Sequence, residues 1–247
     1  LPLVEATVNG TPGVFILDVG AEITVLTPQF AKRANLGGRI HQEGAQINGQ
    51  GDGVDFAMIA TLKVGSAEFQ NFHALLIDIS HLKSGVGVEP AGILGTNVLL
   101  QAPLTLDYRD STGAWNSEPP EGSIDVLSHF QGRSVFLAAD LDGKRLPLLL
   151  DTGSSINALF HKDWQGATES YGESQMSVAE GTVAETTVFA EVANLRIGGT
   201  APEPARFRLT NTHRCLGTPF LSNRAIHLNA AKQKVMLTPR SIDSVVD

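Results

Sequence analysis

The sequence predicts an all-β fold made of two similar lobes in one chain, and three observations predict it. Most patterned segments are short, rich in Val, Ile, Thr and Phe, and separated by glycine or polar turns, as strands are. Helical patterns are few and brief. The chain also repeats itself, with four blocks recurring in the same order in its two halves.

The repeat sets the order of the elements. At an offset of 133, Val4-Glu5-Ala6-Thr7-Val8-Asn9-Gly10 overlies Leu137-Ala138-Ala139-Asp140-Leu141-Asp142-Gly143. Asn9-Gly10 and Asp142-Gly143 each sit between apolar runs, the signature of a tight hairpin turn. Without a gap, Phe15-Ile16-Leu17-Asp18-Val19-Gly20 then meets Leu148-Leu149-Leu150-Asp151-Thr152-Gly153. Thr61-Leu62-Lys63-Val64-Gly65 follows on Asn194-Leu195-Arg196-Ile197-Gly198. One insertion later the offset becomes 122, and Ile93-Leu94-Gly95-Thr96-Asn97-Val98-Leu99 meets Cys215-Leu216-Gly217-Thr218-Pro219-Phe220-Leu221. Leu104-Thr105-Leu106-Asp107 closes the alignment on Ile226-His227-Leu228-Asn229. Strands are expected over 56–64, 72–77, 183–197 and 234–237. Short helices are expected over 28–35, with Thr27 as N-cap and Pro28 first, and over 97–100 and 219–223. The polar, aperiodic stretch with Pro119-Pro120 reads as a linker. Lobe one is thus expected over 1–109, the linker over 110–123, lobe two over 124–240 and a polar tail over 241–247.

Composition narrows the function. With 247 residues, 42% of them hydrophobic, the chain has enough apolar material for one large or two small cores, and it has no uninterrupted apolar run of membrane-helix length. Eighteen Lys and Arg against 26 Asp and Glu leave a net charge of −8, which repels a phosphate backbone and excludes nucleic acid as a partner. The single cysteine, Cys215, excludes an internal disulfide and a thiolate-only zinc site. It takes the slot of Ile93 in the repeat and reads as a small buried hydrophobe. His41, His73, His81, His129, His161, His213 and His227 are scattered, with no two at a metal-binding spacing, so the expectation is surface or core histidines, no metal site and no cofactor. A chain that begins at Leu1 is compatible with removal of a targeting segment; a periplasmic or secreted location is the expectation, with the compartment otherwise open.

The chemistry lies in the repeated block. Asp18-Val19-Gly20 and Asp151-Thr152-Gly153 each follow an apolar strand. An acid at a strand exit can be held by backbone amides, and glycine allows the sharp turn that aims the carboxylate. Two such acids related by an internal two-fold would meet on its axis. Carboxylates about 3 Å apart cannot both ionise, so the pair holds one proton and offers a base and an acid to a single water. The alternative for each is an Asp-Gly that only makes a turn. A serine nucleophile at Ser154 or Ser155 has no local sign of an oriented histidine.

Leu17-Asp18-Val19-Gly20-Ala21 with Ile93-Leu94-Gly95, and Leu150-Asp151-Thr152-Gly153-Ser154 with Cys215-Leu216-Gly217, carry a resemblance to the clan of aspartic peptidases that includes pepsins and retropepsins. The resemblance covers nearly all of both lobes and implies two pseudo-symmetric retropepsin-like β-barrel lobes, the acid protease fold, with a cleft between them. It implies an endopeptidase whose Asp18 and Asp151 activate a water, with a peptide or protein as substrate and a monomer sufficient for the active site. Gln46-Ile47-Asn48-Gly49-Gln50-Gly51-Asp52-Gly53 would be the tip of a flap over the substrate, with 177–182 as its weaker counterpart. The chain departs from the family at Val19, where a threonine is usual; a valine cannot make the hydrogen bond that locks the loop, which predicts a weakened lock with the acid pair retained. Ser154 stands where lobe one has Ala21, and by family analogy its hydroxyl donates to the carboxylate, so Asp151 is expected to ionise more readily than Asp18. The rival readings are a catalytically weakened peptide- or protein-binding module of the same fold, and an unrelated β protein with a duplicated core.

Overall fold

A computed structural model describes residues 1–43, 53–178 and 181–240. Its contacts divide the chain into two compact units, one of Leu1–Val98 with Ser174–Glu185 and the other of the remaining residues.

In the first unit β1 (Leu3–Val8) and β2 (Thr11–Leu17) form a hairpin, followed by β3 (Val25–Leu26), α1 (Pro28–Arg33), β4 (Ile40–Glu43), β5 (Gly53–Val64), β6 (Ala67–Leu76), α2 (Lys83–Val86), β7 (Gly92–Leu94) and α3 (Thr96–Leu99). The strands pair in the order β1-β2-β7-β3-β6-β5, and β1 returns to β5 through Thr7 opposite Lys63 and Val8 opposite Leu62. Six strands therefore close into a barrel with no free edge in the ring. Burial along β5 follows a two-residue period over Ala57 and Ile59, then changes phase and resumes it over Leu62 and Val64, and all four are buried. Phe15 meets Phe30 of α1 edge-on at 5.4 Å, and the Thr27 hydroxyl caps that helix by accepting from the Phe30 N–H at 3.1 Å.

The second unit begins with β8 (Leu104–Asp107), β9 (Thr112–Trp115), β10 (Ile124–Val126), β11 (Ser128–Gln131), β12 (Ser134–Leu141), β13 (Lys144–Leu150) and β14 (Ala158–Phe160). The chain continues with β15 (Thr168–Val178) and β16 (Gly181–Ile197), of which the parts from Ser174 on and up to Glu185 count with the first unit, then β17 (Glu203–Thr210), β18 (Cys215–Leu216), α4 (Thr218–Leu221), β19 (Ala225–Asn229) and β20 (Lys234–Leu237). Again six strands close, in the order β12-β13-β18-β14-β17-β16, with β12 returning to β16 through Ala139 opposite Ile197. The core of this barrel includes Val135, Leu137, Leu148, Leu150, Leu195, Ile197 and Phe207. The protein is all-β with two barrels and few, short helices.

The hairpin turns match as a pair. Asn9 and Gly10 both have positive φ, as do Asp142 and Gly143, which is the conformation of a two-residue turn whose twist suits the flanking strands. Asn9 Oδ1 accepts from the N–H groups of Ala60 and Thr61; Asp142 takes those of Ala193 and Asn194 with its two carboxylate oxygens. The Asn194 side chain and then these amides hold the Asp142 carboxyl below its ordinary range.

A five-stranded sheet, β10-β20-β19-β8-β9, completes the second unit. Its β8 and β19 are repeat equivalents and pair antiparallel with Thr105 opposite His227, so the sheet carries a local two-fold at that pair. Thr105 Oγ1 lies 2.9 Å from His227 Nδ1, and burial lowers the His227 pKa. Thr112–Trp115, inside the segment expected as a linker, is strand β9 on the edge of β8. At the repeat offset of 122 it matches β20, so the duplication runs further than the sequence alignment showed.

Candidate active site

Strand register delivers each candidate acid. In the first lobe β2 runs parallel to β7 with Leu17 beside Leu94, and the next N–H, that of Asp18, donates to the Leu94 carbonyl at 3.0 Å. The turn that follows is tied by the carboxylate itself, which accepts from the Gly20 N–H at 2.7 Å. The chain then passes so close to Gly95 that a Cβ there would stand 2.6 Å from the Ile23 carbonyl carbon and 2.8 Å from the Ala21 oxygen, so a side chain at that position is excluded. The Gly95 N–H donates to the Thr24 hydroxyl at 3.2 Å, and that hydroxyl donates to Asn97 Oδ1 at 2.8 Å. Thr96 N–H reaches the Ala21 carbonyl at 2.8 Å and closes the loop.

The second lobe repeats this plan with different side chains. Here β13 runs parallel to β18 with Leu150 beside Leu216, and the Asp151 N–H donates to the Leu216 carbonyl at 3.0 Å. A Cβ on Gly217 would stand 2.1 Å from the Ile156 carbonyl oxygen and 2.7 Å from that of Ser154. Its N–H donates to Asn157 Oδ1 at 3.0 Å, and Asn157 occupies the repeat position of Thr24. Thr218 gives both its N–H and its hydroxyl to the Ser154 carbonyl, at 2.9 and 3.1 Å.

Asp18, Gly20 and Ala21 in one lobe, and Asp151, Gly153 and Ser154 in the other, are half-buried. Val19 and Thr152 beneath them are fully buried, as are Ile93, Leu94, Cys215 and Leu216 in the supporting strands. Gly53 opens β5; Asn48, Gly49, Gln50, Gly51 and Asp52, the rest of the expected flap tip, lie outside the described residues, as does the 241–247 tail. Ser154 differs from expectation. Its hydroxyl, which has one proton to give, donates to the Ile156 carbonyl at 2.8 Å, so that proton is not on the Asp151 carboxylate and the ground for ranking the two acids disappears.

Three residues of the second lobe come together that the sequence left apart. One ligand atom each from Asp151, His213 and Cys215 lies within 4.8 Å of the others. His213 was expected as an ordinary surface or core histidine, and the signal for it was the repeat itself, which sets it against Ala91. Thr24 and Asn157, which hold the two glycine amides, were also missed, because nothing local marks them.

Residues 4–98 match the family model described as aspartyl protease. The first lobe is similar to aspartyl protease domains. The match covers well under half of the chain, and the internal repeat carries the same strand, acid and glycine pattern into the second half. No curated protein matches the chain. Among solved structures, a retropepsin-like aspartic protease from Rickettsia conorii is similar over 40% of this chain and 70% of its own, with 17% identity and a TM-score of 0.31. The aspartyl protease family is one of hydrolases, and peptidase activity is its coarse functional meaning. None of the helices among the described residues is long and apolar enough to cross a membrane.

Proposed function

We propose that the chain is an aspartic endopeptidase whose Asp18 and Asp151, one from each lobe, act together on a single water. The observation that carries this reading is the twofold occurrence of one device: a strand ending in Asp, its N–H tied to a parallel neighbour, and a glycine downstream where a side chain has no room. A turn-forming Asp-Gly needs none of this. In the reaction the pair holds one proton; the ionised acid takes a proton from water as the water oxygen attacks the scissile carbonyl carbon. The protonated acid hydrogen-bonds the carbonyl oxygen, and the leaving amide nitrogen receives its proton from the same pair. No covalent intermediate with the protein forms. In this reading residues 48–53 cover an extended peptide, lobe one runs over 1–109 and lobe two over 124–240. Because one shared proton is needed, cleavage should be greatest in acidic to mildly acidic solution.

The test is cleavage of a denatured protein or a peptide library by the wild type, Asp18→Asn and Asp151→Asn, with folding checked by circular dichroism. Each variant should lose about 10²-fold or more of the cleavage rate; cleavage near the wild-type rate in either refutes the reading. Val19 favours a second reading, a module that binds peptides without cutting them. A wild type that retains a peptide but leaves it intact at every pH would establish that one instead.

A further inference from the structure

We propose that Asp151, His213 and Cys215 form a binding site for a zinc-like divalent cation, and that the bound cation blocks Asp151. Carboxylate oxygen, imidazole nitrogen and thiolate sulfur are the three ligand types that zinc accepts, and their atoms lie within 4.8 Å of one another. In a tetrahedral zinc site the bond lengths of about 2.0 to 2.3 Å place ligand atoms about 3.3 to 3.6 Å apart, so the site is reached by modest side-chain movement. Three protein ligands leave one position for water. The thiol selects a soft or borderline ion over magnesium or calcium, which take oxygen ligands.

The surroundings fit a cation. His213 Nδ1 lies 2.8 Å from Thr212 Oγ1, and a hydrogen bond at one ring nitrogen is the arrangement that orients an imidazole for ligation through the other. The loop that presents it is wound on Thr210: Oγ1 donates to the His213 carbonyl at 3.0 Å and accepts from the Thr212 N–H at 3.3 Å. Cys215 Sγ is 3.7 Å from the Ile156 carbonyl, an acceptor that its thiol proton faces before ligation. Arg214, the cation next in the chain, is drawn to Asp163 at 3.2 Å, which offsets its charge. The repeat positions in the first lobe are Ala91 and Ile93, and Ile93 belongs to an apolar cluster with Ile16, Val25 and Ile79. The fold does not require a histidine and a cysteine here; the second lobe alone has them.

On binding, the Cys215 sulfur–hydrogen bond breaks, its proton passes to solvent, and the sulfur electron pair forms the bond to the cation; the charge of the ion does not change. The occupied Asp151 carboxylate can no longer take a proton from water. That consequence rests on Asp151 being a catalytic acid, whereas binding itself does not.

The experiment titrates the reduced full chain with Co²⁺, whose thiolate charge-transfer absorption in the near ultraviolet reports a sulfur ligand. The expected result is one Co²⁺ per chain with that band, displaced by Zn²⁺. Cys215→Ala should lose the band, and His213→Ala, which copies the first lobe, should weaken binding about tenfold or more. Absence of the band in wild type, or its persistence in Cys215→Ala, overturns the site, and either variant decides alone if the other does not fold. Cleavage is then measured with and without Zn²⁺ within each protein. The ratio should fall about tenfold in wild type and much less in His213→Ala; equal inhibition of both overturns the block. A cobalt band without cleavage under any condition keeps the site and removes the peptidase reading, and cleavage without a band does the reverse.

Discussion

The two acid loops make the same fastening from different side chains. Gly95 gives its N–H to a threonine hydroxyl, whereas Gly217 gives its N–H to an asparagine amide oxygen, at nearly the same distance. What is held constant is physical: a buried backbone donor must have an acceptor, and a glycine must stay bare where a carbonyl passes too close. Residue identity is free wherever another side chain meets the same demand. The lobes part company at Val19 against Thr152, Ala21 against Ser154, and Ala91 with Ile93 against His213 with Cys215.

Substitutions test how far the equivalence goes. The largest effect is expected at the acids, where Asp18→Asn and Asp151→Asn should each lower cleavage by about 10² to 10⁴-fold. A large loss in one lobe with none in the other, read in steady-state kinetics, would break the equivalence at its centre. Next come the bare glycines. Gly217→Ala should destabilise by about 3 kcal/mol or more and Gly95→Ala by somewhat less, since the intruding Cβ meets backbone that cannot move aside cheaply. The order follows from approaches of 2.1 and 2.6 Å, and urea unfolding of the two variants checks it.

Removing the acceptor should cost less. Asn157→Ala and Thr24→Val each strip the partner from a buried glycine N–H, for about 1 to 3 kcal/mol. Similar values would support interchangeable acceptors, and a negligible loss in either would show that its N–H has another partner. Thr152→Val makes the second loop like the first, with an expected loss of about 0.5 to 1.5 kcal/mol in thermal or urea unfolding.

The smallest effect concerns acid. Asp142 is an acceptor whose folded pKa lies below its unfolded value, whereas its counterpart Asn9 carries no charge. Its contribution is therefore complete above the unfolded pKa of about 3.9 and is lost as pH falls through the lower folded value. Asp142→Asn should flatten that part of the stability profile without changing its slope near neutrality. An unchanged slope below about pH 4, followed by thermal unfolding, would assign the acid sensitivity to other carboxylates.

Reading the sequence recovered what is local. The strands over 56–64, 183–197 and 234–237, the three short helices with Thr27 as cap, and the two Asn-Gly and Asp-Gly turns all rest on neighbouring residues, and each appears with ends moved by a few positions. β9 was hidden because it is an exposed edge strand in polar sequence, where no apolar alternation marks it. The donation of Ser154 to Ile156 was missed because the acceptor of that hydroxyl is set by the backbone geometry of the loop, which residue order does not reveal. His213 escaped because Cys215, two residues on, reads as a buried hydrophobe in the slot of Ile93, and the third group, Asp151, is far away in the chain.

By itself the sequence determined the duplication, the strand-rich character and the two acids followed by glycine, since these depend on order and periodicity along the chain. Only tertiary structure decided that Thr24 and Asn157 hold the glycine amides and that His213 and Cys215 stand beside Asp151. Those contacts join residues dozens of positions apart, and parallel strand register is what selects them: Leu150 beside Leu216 brings Asp151 alongside the strand that Cys215 opens. A one-residue slip in that register would turn every side chain of the strand to the opposite face.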